Sequence, residues 1–276
     1  MRELFTMWKN TRMVMLVALT AAIYAAILIP FKGFVIIPTL TEVRPANVIP
    51  VVFSLFFGPA AAWGSAIGNT IGDIFGGTLG PGSFFGFFGN FLLGYIPYTL
   101  WGRLGPLSAG GEPDGRTFRK LLEFWIIALL ASLACGAFIG WGLEILRILP
   151  FTVIANIIAL NNFLAAAILG PLLLLALYPR IKAWGLLWTE VMEMEPSPSA
   201  TARTGALVIT VSILASYIVG NWLGFAAGTG FAAQGFAQAG MAGQLSIIYS
   251  LAILWVVLLI GMFMAGNRPL EASEEA

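Results

Sequence analysis

The chain has 276 residues, 59% of them hydrophobic and 10% charged, with a formal net charge of +1. Soluble domains carry about 25% charged residues, and nucleic-acid binders present a basic stripe, so both classes are excluded, as is disorder. At roughly 20 apolar residues per span, about 163 apolar residues leave room for about eight helices, and the sequence predicts an all-α polytopic helical membrane protein of mean hydropathy +0.92.

Residues 1–12 are polar and carry Arg2, Lys9 and Arg12. The apolar run from Met13 to Pro30 is a first helix; it is longer than a signal-peptide core and lacks a clean small-residue cleavage site. Residues 32–45 form a loop broken by Pro38 and Pro45. A short second span runs from Asn47 to Phe57, and Gly58-Pro59 turns the chain into a third span from Ala60 to Phe75. After the turn at 76–83, a fourth span covers Phe84 to Trp101. The loop 102–120 is basic. A fifth span covers Leu121 to Trp141, and a sixth covers Phe151 to Tyr178. In the polar connection 179–204, Trp184, Leu187, Trp188 and Val191 recur at helical spacing, which predicts a helix lying in the membrane interface. A seventh span covers Gly205 to Phe225, an uncharged Gly/Ala/Gln loop follows at 226–243, and an eighth span runs from Gln244 to Ala265 before an acidic tail.

Orientation follows from the Lys and Arg count on each side. With the N-terminus inside and eight spans, eleven basic residues fall inside, and three (Lys32, Arg44, Arg147) fall outside. Both termini are therefore expected in the cytoplasm. The composition divides the chain into a six-helix core at 1–180, an interfacial helix and linker at 181–204, and a two-helix extension with its tail at 205–276.

Without histidine the chain lacks the commonest general base and metal ligand, and its single cysteine, Cys135, permits no internal disulfide and no cysteine cluster. No enzyme activity and no cofactor or metal is expected. Small residues four apart share a helix face and let backbones approach. The stripes Gly64/Gly68/Gly72/Gly76, Gly82/Gly86/Gly94 and Gly220/Gly224/Gly228 read as packing within the bundle, with self-association open for the last. The stripe Ala18, Ala22 and Ala26, flanked by Ala21 and Ala25, reads as an intermolecular face.

Polar groups at membrane depth face a bundle interior or a wet cavity. Ser65, Asn69 and Asp73 sit four apart in the third span, and Asn90, Asn156, Asn161 and Asn162 add amides in the fourth and sixth. On the expected outer side the charges balance, with Lys32, Arg44 and Arg147 against Glu42, Asp73 and Glu144. Phe34, Phe84, Phe85, Phe88, Tyr95 and Trp141 lie near the same side, as an apolar pocket with a few polar groups requires.

The run TEVRPANVIPVVFSLFFGPAAAWGSAIGNTIGDIFGG (41–77) resembles the substrate-binding S components of energy-coupling factor transporters, nearest to the queuosine-precursor type. A polar loop, an FGP turn, a Gly-rich span ending in an acid, an alanine stripe and six helices with both ends inside carry the likeness over 1–180. The resemblance implies a subunit that captures a small vitamin or nucleobase-like precursor from outside. A transmembrane coupling subunit and two cytosolic ATPase subunits would complete the importer. The chain itself has no GxxxxGK[ST] phosphate loop. By the same likeness Ala18, Ala22 and Ala26 would contact the coupling subunit, and Arg44, Asn47, Asn69, Asp73, Asn90, Tyr95, Glu144, Arg147, Asn161 and Asn162 are pocket candidates. The C-terminal helix pair departs from a minimal S component. The alternative is a self-sufficient secondary transporter, which needs a coupling-ion site at mid-membrane; Asp73 is the one intramembrane acid before the fifth span. A membrane enzyme would want clustered acids or a histidine, and an assembly subunit would tolerate loss of the outer polar residues.

Overall fold

The computed structural model describes residues 1–31, 35–37, 41–42, 44–229 and 241–269. The chain forms helices α1 (Glu3–Thr6), α2 (Thr11–Phe31), α3 (Val48–Phe57), α4 (Pro59–Phe75), α5 (Pro81–Leu100), α6 (Phe118–Ile145), α7 (Phe151–Ala183), α8 (Trp188–Val191), α9 (Ala200–Ala226) and α10 (Leu245–Met264). Two small antiparallel pairs join β1 (Val35–Ile37) to β2 (Thr41–Glu42) and β3 (Met194–Pro196) to β4 (Asn267–Pro269). Among the described residues, α2, α6, α7, α9 and α10 are long and apolar enough to cross a bilayer. This is an all-α multi-pass membrane protein.

The first six expected spans correspond to α2–α7. All ten residues of α3 are buried, and it touches α2, α4, α5 and α7. Its length explains the cavity described below. Ten residues rise about 15 Å, half of the roughly 30 Å hydrocarbon thickness, so α3 fills one half of the bundle and leaves the other half to side chains and open space. Gly58, at φ +51°, ends α3 and starts α4 without a loop. A Cβ there would also lie 2.6 Å from the Trp188 ring.

Glycine sets the interhelical distances, as the stripes predict. On α4, a Cβ at Gly64 would meet Thr20 at 2.6 Å, and one at Gly68 the Ala21 carbonyl at 2.9 Å. Gly94 of α5 faces Ala62, and Gly136 of α6 faces Ala155. Gly220 and Gly224 of α9 pack on Phe151 and Thr152 of the same chain. These two serve internal packing, not contact with a second copy.

The interfacial helix expected through Trp184–Val191 is interrupted. Gly185 adopts φ +63° and closes α7 with a left-handed cap, the Leu186 N–H reaching the Ile181 carbonyl at 3.1 Å. Trp184 stays exposed while Trp188, on the four-residue α8, is buried against Gly58 and Tyr98.

Helices α9 and α10 pair with each other and lean on α6 and α7. Both ends of this hairpin are tied to the core. At one end Arg103 donates to the carbonyls of Ala265 (2.8 Å) and Gly266 (3.3 Å) and to Asn267 Oδ1 (2.9 Å), while Arg268 pairs with Glu195 at 2.6 Å. At the other end the buried Glu144 carboxylate accepts the N–H groups of Phe151 (2.6 Å), Gly243 (2.8 Å) and Gln244 (2.8 Å). There Thr152 also donates to the Thr229 carbonyl, and Trp141 Nε1 to Ile248 (3.0 Å).

Candidate functional site

A cavity of about 190 Å³ opens at the end of the bundle away from the basic loop 102–120. It lies over the start of α3, where the half-length helix leaves space. Its polar lining is Arg44, Asn47, Asn69, Asp73, Ser83, Asn90, Asn161 and Asn162, and its apolar wall includes Ile139, Leu143, Ile154 and Ile158. Seven of these polar residues are pocket candidates read from the sequence. They come from the segment before α3 and from α4, α5 and α7, which only the fold brings together.

A hydrogen-bonded chain forms the buried floor. The Tyr24 hydroxyl lies 2.7 Å from Asn47 Oδ1 and 3.0 Å from Asn90 Oδ1, and Asn47 Nδ2 donates to Asn162 Oδ1. Asn90 Nδ2 donates back to the Gly86 carbonyl at 2.9 Å. Nearer the rim, Asn69 Nδ2 donates to Asp73 Oδ2 at 3.4 Å, and the Thr78 hydroxyl to Asp73 Oδ1 at 3.3 Å. Buried polar groups without such partners are expensive in a membrane interior, so the network holds the amides in one geometry.

Gly86 helps to make the space. A Cβ there would stand 3.2 Å from Asn69 Nδ2 and 3.9 Å from Asp73 Oδ2. The described lining balances one guanidinium against one carboxylate, and its five asparagine amides each offer both donors and an acceptor.

Three other candidates stand apart from this cavity. Tyr95 is buried, with its hydroxyl 3.5 Å from the Met262 carbonyl of α10. Glu144 is occupied by the Phe151 N–H of α7 and by the Gly243 and Gln244 N–H groups that tie down the hairpin. Arg147, at φ +56°, ends the turn after α6 and packs over Gly243. Of the aromatic group, Phe84, Phe85, Phe88 and Trp141 join Phe138 and Trp255 in a ring cluster between α5, α6 and α10, and Phe34 and Lys32 lie outside the described residues. Sequence reasoning passed over Ser83, Ile139, Leu143, Ile154 and Ile158, and took Gly82 and Gly86 for packing only. Tyr24 was also missed; its signal was a phenol hydroxyl in the apolar run of α2, too far from its own backbone to be satisfied there as the Thr20 hydroxyl is by the Leu16 carbonyl.

The alanine positions of α2 divide between two faces. Ala21 and Ala25 are buried towards α4, whereas Ala18, Ala22 and Ala26 are exposed beside Met15 and Leu19. The hairpin packs on α6 and α7, so it leaves this face of α2 open.

The sequence profile of the family described as QueT transporter matches residues 14–179. The chain belongs to the QueT transporter family. The match supports a membrane transporter of the S-component type. The match covers α2 to most of α7, every residue that lines the cavity, and neither helix of the hairpin. No curated protein and no solved structure matches the chain.

Proposed function

We propose that this chain is the substrate-binding subunit of an energy-coupling factor importer and that the cavity over α3 is its binding site. The observation that carries the reading is the convergence of Arg44, Asn47, Asn69, Asp73, Asn90, Asn161 and Asn162 on one small cavity within the family-matched region. A volume below the roughly 300–1,000 Å³ of drug-sized sites suits a compact molecule. Five amides around a balanced charge pair suit a planar nucleobase-like compound with alternating donors and acceptors. They do not suit a polyanion.

The positive-inside count favours cytoplasmic termini, which places the cavity mouth outside. Substrate enters there, and the exposed stripe Ala18, Ala22 and Ala26 docks on a transmembrane coupling subunit, since small side chains admit a partner helix at close range. Two separate cytosolic ATPase subunits supply the energy. Residues 1–180 form the transport core, and the pair α9 and α10 forms a lateral brace tied to it at both ends.

Mass spectrometry of small molecules released from protein purified in mild detergent tests the reading. The expected result is a stoichiometric nucleobase-like compound, whose retention falls when Asn47 or Asn162 is replaced by alanine. A protein that stays empty after incubation with queuosine precursors and a vitamin panel overturns it.

A further inference from the structure

A second concave surface lies between α6 and α9, at the end that carries the basic loops. It is a groove of about 890 Å³ lined by Ile126, Leu129 and Leu130 from α6 and by Arg203, Leu207, Thr210 and Leu214 from α9, roofed by residues 102–107. The α9 residues recur three or four apart and so share one face. From Arg203 to Leu214 the helix rises about 16 Å, which equals one leaflet of hydrocarbon, half of about 30 Å. The trough therefore begins at the membrane interface and ends near the midplane, and its walls are apolar along that length apart from Thr210, whose hydroxyl donates to the Ala206 carbonyl.

Its head is cationic. Arg203 is exposed, and its guanidinium has no hydrogen-bond or carboxylate partner among the described residues. Arg103 borders the same groove; its Nη atoms bind carbonyls and Asn267, and its buried Nε has no partner among the described residues. The nearby Glu123 carboxylate is taken up by the N–H groups of Gly102 and Ala109, both at 2.7 Å. A guanidinium without a carboxylate partner among the described residues, above an apolar channel of one leaflet's length, matches a molecule with an anionic head and an acyl tail.

We propose that this groove is a binding site for one anionic glycerophospholipid, with its phosphate on Arg203 and an acyl chain along Leu207, Thr210 and Leu214. Basic pockets between transmembrane helices recognise anionic head groups in this way. The bound lipid fills the space between core and brace at the end where Arg103 joins them. The proposal does not depend on what the cavity over α3 binds.

The test is native mass spectrometry of the full chain extracted from vesicles of equal phosphatidylglycerol and phosphatidylcholine. Wild-type protein is expected to retain one phosphatidylglycerol, enriched about fivefold over phosphatidylcholine, the equivalent of about 1 kcal/mol for one basic side chain at the surface. Arg203→Gln removes the preference and Arg203→Lys keeps most of it. Thr210→Trp, which fills the trough, lowers retention of both lipids. Equal retention of the two lipids by wild type, or unchanged enrichment in Arg203→Gln with an unaltered elution profile, overturns the proposal. So does a co-purifying protein helix that cross-links to position 210 in place of lipid.

Discussion

Replacing Glu144 with glutamine separates a structural carboxylate from a ligand contact. In the wild type one oxygen accepts from Phe151 and the other from both Gly243 and Gln244. A glutamine of the same shape has one carbonyl, so it keeps the pair from the hairpin and turns its amide N–H groups towards the Phe151 N–H, donor against donor. One charge-assisted hydrogen bond is lost, about 1.5–3 kcal/mol. Local opening then raises amide exchange at Phe151 by about 10- to 150-fold, since each 1.4 kcal/mol is tenfold. Glu144→Ala releases all three N–H groups and extends the faster exchange to 243–244. Hydrogen–deuterium exchange read by mass spectrometry on peptides spanning 145–155 and 241–248 measures both effects. Ligand affinity should change little in the glutamine variant, because Glu144 does not line the cavity. Exchange identical to wild type, together with a large loss of ligand binding, would refute the reasoning and return Glu144 to the site.

Three further outcomes are expected. Asn162→Ala breaks the floor network at Asn47 and should weaken ligand binding about 5- to 150-fold, the range for leaving a buried polar group unpaired at about 1–3 kcal/mol; calorimetric titration checks this, and an unchanged affinity counts against the cavity as the site. Gly94→Ala places a methyl 2.8 Å from the Ala62 Cα, where overpacking of about 1–3 kcal/mol outweighs a helix-propensity gain of about 1 kcal/mol. Its melting temperature in detergent should fall by several degrees, whereas Gly80→Ala, with nothing within 4 Å, should melt like wild type. Ala22→Trp on the exposed α2 stripe should leave ligand affinity intact while abolishing uptake in cells; uptake at the wild-type rate would remove that stripe as the docking face.

The candidate site was legible in part because polar residues in membrane spans are conspicuous. Asn69 and Asp73 stand four apart in a glycine-rich helix, and Asn161 and Asn162 interrupt an apolar one, so each declares an interior or a cavity from its own span. The same logic gathered Glu144 and Arg147 into one group with them, although neither lines the described cavity, since a count by side of the membrane carries no information about azimuth around the bundle. Glu144 turns to the hairpin because three unpaired N–H groups converge there, and two of them are about a hundred residues away in the chain. The expected interfacial helix failed for a local reason: the spacing of Trp184, Leu187, Trp188 and Val191 is helical, but Gly185 between them takes a left-handed turn.

Composition and periodicity alone determined that this is a helical multi-pass membrane protein, where its helices lie to within about five residues, and that glycines four apart, as at Gly64 and Gly68, let helices approach closely. Those properties depend on transfer free energy and on residues three or four apart, which a single chain segment already contains. Only the tertiary structure decided that a ten-residue α3 stops half-way through the bundle and leaves a cavity above Asn47. It also decided that the brace of α9 and α10 lies on α6 and α7, away from Ala18, Ala22 and Ala26. Both depend on which helix faces meet, and that is set by contacts between residues far apart in sequence.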